Sequence, residues 1–251
     1  MTSIVTLLTD FGTADGYVGE MKGVLASLGV LHQMSIAHDL AAHDVDGARL
    51  AVARYWRRFP AGTVHLVVVD PGVGGPRAAI AVQCDGLFLV GPDNGVLSPA
   101  LLPAGARCVA IEVPSGASPT FHGRDVFAPA AAQLALGASL DSVGSPHLDP
   151  VVRRTPEAHR LPDGGVSGEV ITVDRFGNAV TNLVAHRGGS IEVSGLSLPL
   201  RATYADAAAG AALALVGSSG LVEIAVRDGS AADRLGLRRG TTVVLRVSGG
   251  R

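Results

Sequence analysis

The chain is nearly devoid of lysine: Lys22 stands alone, and arginine supplies the rest of the 20 basic residues in a sequence of 251. No basic run exceeds two residues, and aromatic side chains make up only 4%. A nucleic-acid surface needs clustered cations and often stacking rings, so the composition argues against that partner. Gly23 follows Lys22 where a phosphate-cradling loop would need Ser or Thr, which excludes that motif. The two cysteines, Cys84 and Cys108, lack metal-ligand spacing and read as reduced thiols of a cytoplasmic protein. No apolar stretch is long enough to span a bilayer, so no membrane role is expected. The N-terminus opens on a strand pattern without a basic leader, and no signal peptide is expected there. A Gly-x-Ser-x-Gly elbow and a catalytic-cysteine signature are also missing, which disfavours acyl transfer.

What is present is apolar chain, 47% of it, close to neutral at a net charge of −2. Residues 1–146 alternate strand-like and helix-like segments. Strands are predicted at 4–9, 64–69, 79–84, 87–90 and 109–113, and helices at 15–28, 43–59 and 126–136. Asp85-Gly86 is a hairpin signal between two of the strands. This pattern predicts an α/β layered domain with a largely buried sheet. Residues 147–165, rich in Pro, Asp and His, read as a linker. Residues 166–251 carry mostly short strands, at 166–173, 179–183, 190–193, 221–226 and 242–247, with a helix expected near 204–213. That part predicts a small β-rich domain, barrel-like or a sandwich.

Two buried-strand patterns end on an aspartate followed by glycine: Leu7-Leu8-Thr9-Asp10-Phe11-Gly12, and Val69-Asp70-Pro71-Gly72-Val73-Gly74-Gly75-Pro76-Arg77. Ligands of open α/β sheets sit just beyond the carboxyl ends of strands. Three further clusters place polar residues beside glycines: Gly91-Pro92-Asp93-Asn94-Gly95-Val96-Leu97-Ser98, Thr120-Phe121-His122-Gly123-Arg124-Asp125 and Asp174-Arg175-Phe176-Gly177-Asn178. Taken singly, each has a plain explanation as a turn, a bend or a satisfied histidine. Taken together, Asp70, Arg77 and His122 form a mixed-charge set without a structural need. A carboxylate and a guanidinium can fix a histidine and orient a water. The set lacks the His-rich spacing of a metal site.

In this order the motifs resemble the S-adenosylmethionine hydroxide adenosyltransferases, relatives of fluorinase and chlorinase. The resemblance runs from about residue 4 to residue 245 and includes Gly217-Ser218-Ser219-Gly220-Leu221-Val222-Glu223-Ile224-Ala225-Val226. It implies conversion of S-adenosyl-L-methionine (SAM) and water to adenosine and L-methionine, without metal or redox cofactor. It also implies an N-terminal α/β/α layered domain with a smaller C-terminal β-barrel-like domain, and a homotrimer in which each active site lies between one subunit's N-terminal domain and a neighbour's C-terminal domain. Asp70, Arg77 and His122 would position and activate the water; by its ordinary pKa, His122 is the side chain of the three suited to take the proton. Asp10, with Phe11 beside it, would grip the ribose diol. Asn178 would read the adenine edge, with Phe176 near the ring. Asp174 would face the methionine ammonium, Ser218 or Ser219 the carboxylate, and the backbone from Glu223 to Val226 the adenine.

Halogenating relatives carry an aromatic residue where this chain has Asp70 and a tyrosine where it has His122. Gly123 alone would suit a chlorinase, but an anionic Asp70 would repel halide by several kcal/mol at an effective dielectric of roughly 20. A non-catalytic adenosine- or SAM-binding protein on the same scaffold is the alternative from another class. The retention of all three polar residues argues against it. Ser230–Gly240 weakly resembles the helix-turn of a peptide-binding module, a pattern short enough to recur by chance.

Overall fold

In the computed structural model, residues 4–185 and 188–246 are described. The chain divides into two compact units, Met1–Arg154 and Thr155–Arg251.

The N-terminal unit runs β1 (Val5–Thr9), α1 (Tyr17–Ser27), β2 (Gln33–Ala37), α2 (Val45–Tyr55), β3 (Val64–Val68), β4 (Ala79–Cys84), β5 (Leu87–Pro92), α3 (Ser98–Leu101), β6 (Arg107–Ile111), α4 (Ala128–Ala135) and β7 (Ser145–Pro146). The sheet order is β2-β1-β3-β5-β4-β6-β7. β2, β1, β3 and β5 are parallel, whereas β4, β6 and β7 join by antiparallel pairing. Strand alternation sorts the side chains into two cores. Val5, Leu7, Val64, Leu66 and Val68 face Met21 and Leu25 of α1 and the alanines of α4. Leu8, Val67 and Val69 face Val45, Ala48 and Val52 of α2, and Trp56. The result is a three-layer sandwich whose central strands are buried on both faces, hence their uninterrupted apolar runs. The Asp85-Gly86 hairpin forms, with both residues at positive φ (51° and 76°), as a primed two-residue turn requires.

From β1 the chain crosses to β2 on one side, then returns to β3 on the other. The strand order therefore reverses between β1 and β3, and the crevice beyond their carboxyl ends is where such sheets take ligands. Asp10 and Asp70 lie there, because the register pairs Thr9 with Val68.

The C-terminal unit runs β8 (His159–Arg160), β9 (Val166–Val173), β10 (Ala179–Thr181), β11 (Ser190–Val193), β12 (Leu196–Arg201), β13 (Ala212–Val216), β14 (Val222–Val226), α5 (Ala231–Leu235) and β15 (Thr242–Arg246). Seven strands close a barrel in the order β9-β10-β14-β13-β12-β11-β15, returning to β9, and β8 adds to the start of β9. Among the described residues of this unit, only β12 and β13 pair in parallel. Val170, Ile191, Ala214, Ile224, Val243 and Leu245 fill the interior. Closure removes the sheet edges that a small β domain would otherwise expose.

The helix expected near 204–213 does not form. Its alanine-rich sequence suits a helix, but a Thr203–Asp206 capping box closes a single 3-10 turn at Tyr204–Asp206. Gly210 then turns at positive φ (75°), and Leu213 to Val216 joins a full ladder with β14. Pairing overrides propensity. Residue 247, the last of the strand expected at 242–247, lies outside the described residues.

Candidate active site

Asp70 ends the buried run of β3, and Pro71-Gly72 turns the chain back toward β4. Arg77 returns to it across that turn: Nε donates to Asp70 Oδ1 at 3.0 Å, and Nη2 donates to Oδ2. The same Nη2 donates to His122 Nδ1 at 2.8 Å. The order is therefore carboxylate, guanidinium, imidazole, with the guanidinium in the middle. Only 4% of the Asp70 side chain and 10% of the Arg77 side chain are exposed. His122 is equally buried. Arg77 Cζ lies 5.3 Å from the Phe127 ring centroid, and the His122 ring meets the same phenyl edge-on. Arg77 Nη1 is buried and has no hydrogen-bond partner among the described residues. Burial, and next the charge of Arg77, hold the His122 pKa below its usual value, with Asp70 and Asp125 acting in the opposite sense.

Three devices hold this chain of groups. Gly74, at φ 74°, lets the turn pass so close to Pro119 that a Cβ would lie 2.4 Å from its carbonyl oxygen. The Asp70 turn and the segment leading into His122 are thereby pressed together. His122 precedes a π-helical turn, Gly123–Phe127, that runs into α4. Such turns are rare and recur at functional sites. Asp125 on that turn accepts from Ser118 N at 2.9 Å, and Arg124 bonds both Asp125 and Glu20 of α1. Asn94 braces the other side, its Nδ2 donating to Val69 O at 2.9 Å. The rest of the Gly91–Ser98 cluster anchors chain rather than facing the site: Asp93 accepts from His147 and Val151 N, and Ser98 Oγ accepts from Arg153 N. Gly123 is packed, not open: an added Cβ would meet Met21 Sδ at 3.2 Å and Phe121 at 3.3 Å.

At the end of β1, Asp10 Oδ2 accepts from His43 N at 2.7 Å. Phe11 packs edge-to-face with Tyr17 and Phe121, which also meet each other. This three-ring cluster ties the Asp10 loop to the segment that carries His122. Tyr17 was not legible as a site residue; its only signal was an aromatic at the start of α1 in a chain with few.

The other candidates lie in the C-terminal unit. The β9–β10 turn is organised by Asp174, whose Oδ1 accepts from Phe176 N and Asn178 N, both at 2.9 Å. Its Oδ2 accepts from Asn178 Nδ2 at 3.0 Å. Asp174 and Asn178 are thus brought together, and Phe176 projects from the turn with 77% of its surface exposed. Gly177 fits against Ser230, the residue that caps α5 by accepting from Asp233 N. Ser218 and Ser219 sit exposed at the tip of the β13–β14 hairpin. Glu223 is buried on β14 and accepts from Tyr204 OH at 3.2 Å. Burial and then Glu223 push the Tyr204 hydroxyl pKa up. Glu223 has room only because residue 217 is glycine; a Cβ there would lie 1.9 Å from Oε1. The Val226 side chain belongs to the barrel core, so only its backbone is available to a ligand. Tyr204 was missed because its segment read as a helix.

Among the described residues, no group of three or more His, Cys, Asp or Glu side chains is placed to hold a metal ion. No helix among them is long and apolar enough to cross a membrane.

Comparison with known proteins bears on both units. Residues 5–144 match the model of the SAM hydroxide adenosyltransferase N-terminal domain, and residues 168–244 match that of the C-terminal domain. A protein of Thermus thermophilus named (R)-S-adenosyl-L-methionine hydrolase is 43% identical over 255 residues, covering 96% of this chain and 98% of its own length. A fluorinase of Actinopolyspora mzabensis is 28% identical over 290 residues, covering 96% of each chain. A crystal structure of an uncharacterized conserved protein from Thermotoga maritima superposes with a TM-score of 0.88 at 32% identity, covering 97% of this chain and all of that one.

Proposed function

The chain belongs to the SAM hydroxide adenosyltransferase family, and from that membership we propose that it hydrolyses S-adenosyl-L-methionine to adenosine and L-methionine. An oxygen derived from water attacks C5′, and the C5′–S bond breaks with its electron pair going to sulfur. The leaving group changes from a sulfonium cation to a neutral thioether, so it needs no general acid, metal or redox cofactor. What remains for the protein is to align a scarce nucleophile behind C5′. Alignment alone supplies roughly 7–11 kcal/mol when the geometry is near attack.

The observation that carries this reading is the buried Asp70–Arg77–His122 chain at the switch point of the sheet. The greater identity to the hydrolase (43%) than to the fluorinase (28%) leaves the halogenase reading disfavoured. Asp10 takes the ribose diol, using the carboxylate oxygen that His43 N does not occupy. The Asp174–Asn178 turn, the Ser218–Ser219 tip and the Glu223 region serve the adenine and methionine ends. We place these groups against the switch-point site of a neighbouring subunit in a homotrimer, in the reducing environment of the cytoplasm that suits the free Cys84 and Cys108. The relatives' name specifies the (R) sulfonium, and the same epimer is proposed as substrate here.

Incubation of the purified protein with each sulfonium epimer, with and without chloride, followed by chromatography, tests the reading. Adenosine and methionine from the (R) epimer in both buffers support it. A chlorinated nucleoside, or no turnover of either epimer, contradicts it.

A further inference from the structure

We propose that His122 serves the reaction as a hydrogen-bond donor through Nε2–H to a hydroxide nucleophile, and not as the base that deprotonates water. This rests on the hydrolytic reading above.

The argument begins with what each group can do. A guanidinium has five donors, no acceptor, and stays protonated in proteins. Arg77 Nη2 lies 2.8 Å from His122 Nδ1, so Nδ1 must be the acceptor and its in-plane lone pair is occupied. A neutral imidazole has one N–H and one lone pair. With the lone pair on Nδ1, the proton sits on Nε2. The one side-chain hydrogen bond of the ring among the described residues is the one at Nδ1, which leaves Nε2 without a partner there. The ring can give a hydrogen bond there. It can take a proton only at Nδ1, facing the guanidinium, after the bond to Arg77 breaks.

The charged groups around the ring agree. Arg77 and Asp70 come from the β3–β4 connection, and Asp125 from the turn that follows His122. Arg77 is the one in contact. Asp70 is engaged by Arg77 through both oxygens, and Asp125 by Arg124 and Ser118 N. Burial and Arg77 therefore favour the neutral ring, the state in which Nε2 donates. Arg77 Nη1, buried without a partner beside Nη2, is a further donor suited to a negatively charged oxygen.

The step balances without an enzymic base. Hydroxide enters from solvent and receives the Nε2–H bond. Its lone pair forms the O–C5′ bond, and the C5′–S pair leaves on sulfur. The histidine keeps its proton throughout.

His122→Gln separates the two roles, because a carboxamide donates a hydrogen bond and has an oxygen to accept from Arg77, yet cannot take a proton from water. We expect His122→Gln, or the shorter His122→Asn, to keep kcat/KM within about tenfold of wild type, while His122→Ala loses about 10²–10³-fold. Across pH 6–9 the wild type and the active amide variant should rise in parallel. A thermal shift with adenosine verifies that each variant is folded. Gln and Asn variants that fold and are as inactive as Ala overturn the assignment. A wild type that makes no adenosine from either epimer overturns instead the hydrolytic reading on which it rests.

Discussion

Replacing Arg77 by methionine removes the centre of the buried chain of groups while keeping much of the side-chain volume. Asp70 would then keep a carboxylate with 4% of its surface exposed and lose both hydrogen bonds that Arg77 gave it. Stranding one partner of a buried ion pair costs about 3–5 kcal/mol, mainly as an uncompensated charge. The cation–π contact with Phe127 goes too, worth about 1 kcal/mol. Replacing both partners, Asp70→Leu with Arg77→Met, leaves no charge to strand, and such apolar exchanges are often neutral or stabilising by about 1–4 kcal/mol. The double variant should therefore be more stable than the single one. Trp56 is the only tryptophan, is buried against α2, and reports unfolding of the N-terminal unit by itself. Urea titrations followed by its fluorescence measure the two differences. Both variants should lose adenosine formation by at least about 10²-fold, since each removes donors from the site. This pattern would show that the ion pair is retained for the reaction and not for stability. If Arg77→Met unfolds within about 1 kcal/mol of wild type, or the double variant is no more stable than the single, the reasoning fails.

Acid should weaken the fold before the carboxylates titrate. His65, buried and bonded to Thr6, has its pKa lowered from 6.5 to about 4 by burial, and burial lowers those of His38 and His122 as well. The unfolded chain takes up these protons first, so the stabilisation is complete above about pH 6.5 and is lost as pH falls toward 4. His65 alone accounts for about 2 kcal/mol by pH 5. Urea midpoints at pH 7.5, 6 and 5 measure it, and a flat or rising trend would refute it. Gly74→Ala forces a Cβ to within 2.4 Å of Pro119 O at a positive φ. We expect a stability loss of about 1–3 kcal/mol and a drop in kcat larger than the change in KM, because the segment carrying His122 must shift. Unchanged kcat would sever that link. Asp174→Ala removes three hydrogen bonds from the β9–β10 turn and should raise KM well above any change in kcat; an unaltered KM would exclude the turn from substrate binding.

The central strands were legible because burial on both faces leaves apolar runs without alternation: β1, β3 and β4 lie where the sequence placed them, within a residue. β2 was invisible because it is an edge strand whose Met34 and Ser35 are exposed. β12 was hidden for a related reason, with Leu196, Ser197 and Pro199 outward and Leu198 alone deeply buried. β7 and β8, of two residues each, carry no period at all; β7 lies just before the stretch read as a linker and β8 within it. In the site, the aspartates at strand ends and the glycines beside them were readable because backbone turns there require those residues. The order of the chain of groups was not. Whether Arg77 or Asp70 touches His122 depends on how a turn of glycines folds against Pro119, and spacing does not encode that. Glu223 was reached by motif, but its partner Tyr204 was lost to an alanine-rich segment that imitates a helix.

Reaction of the (R) epimer in oxygen-18 water, with mass spectrometry of the nucleoside, tests the central claim most directly. The account predicts one heavy oxygen in adenosine, at the 5′-hydroxyl, and unlabelled methionine. Unlabelled adenosine, or a nucleoside carrying another 5′ substituent, would contradict it.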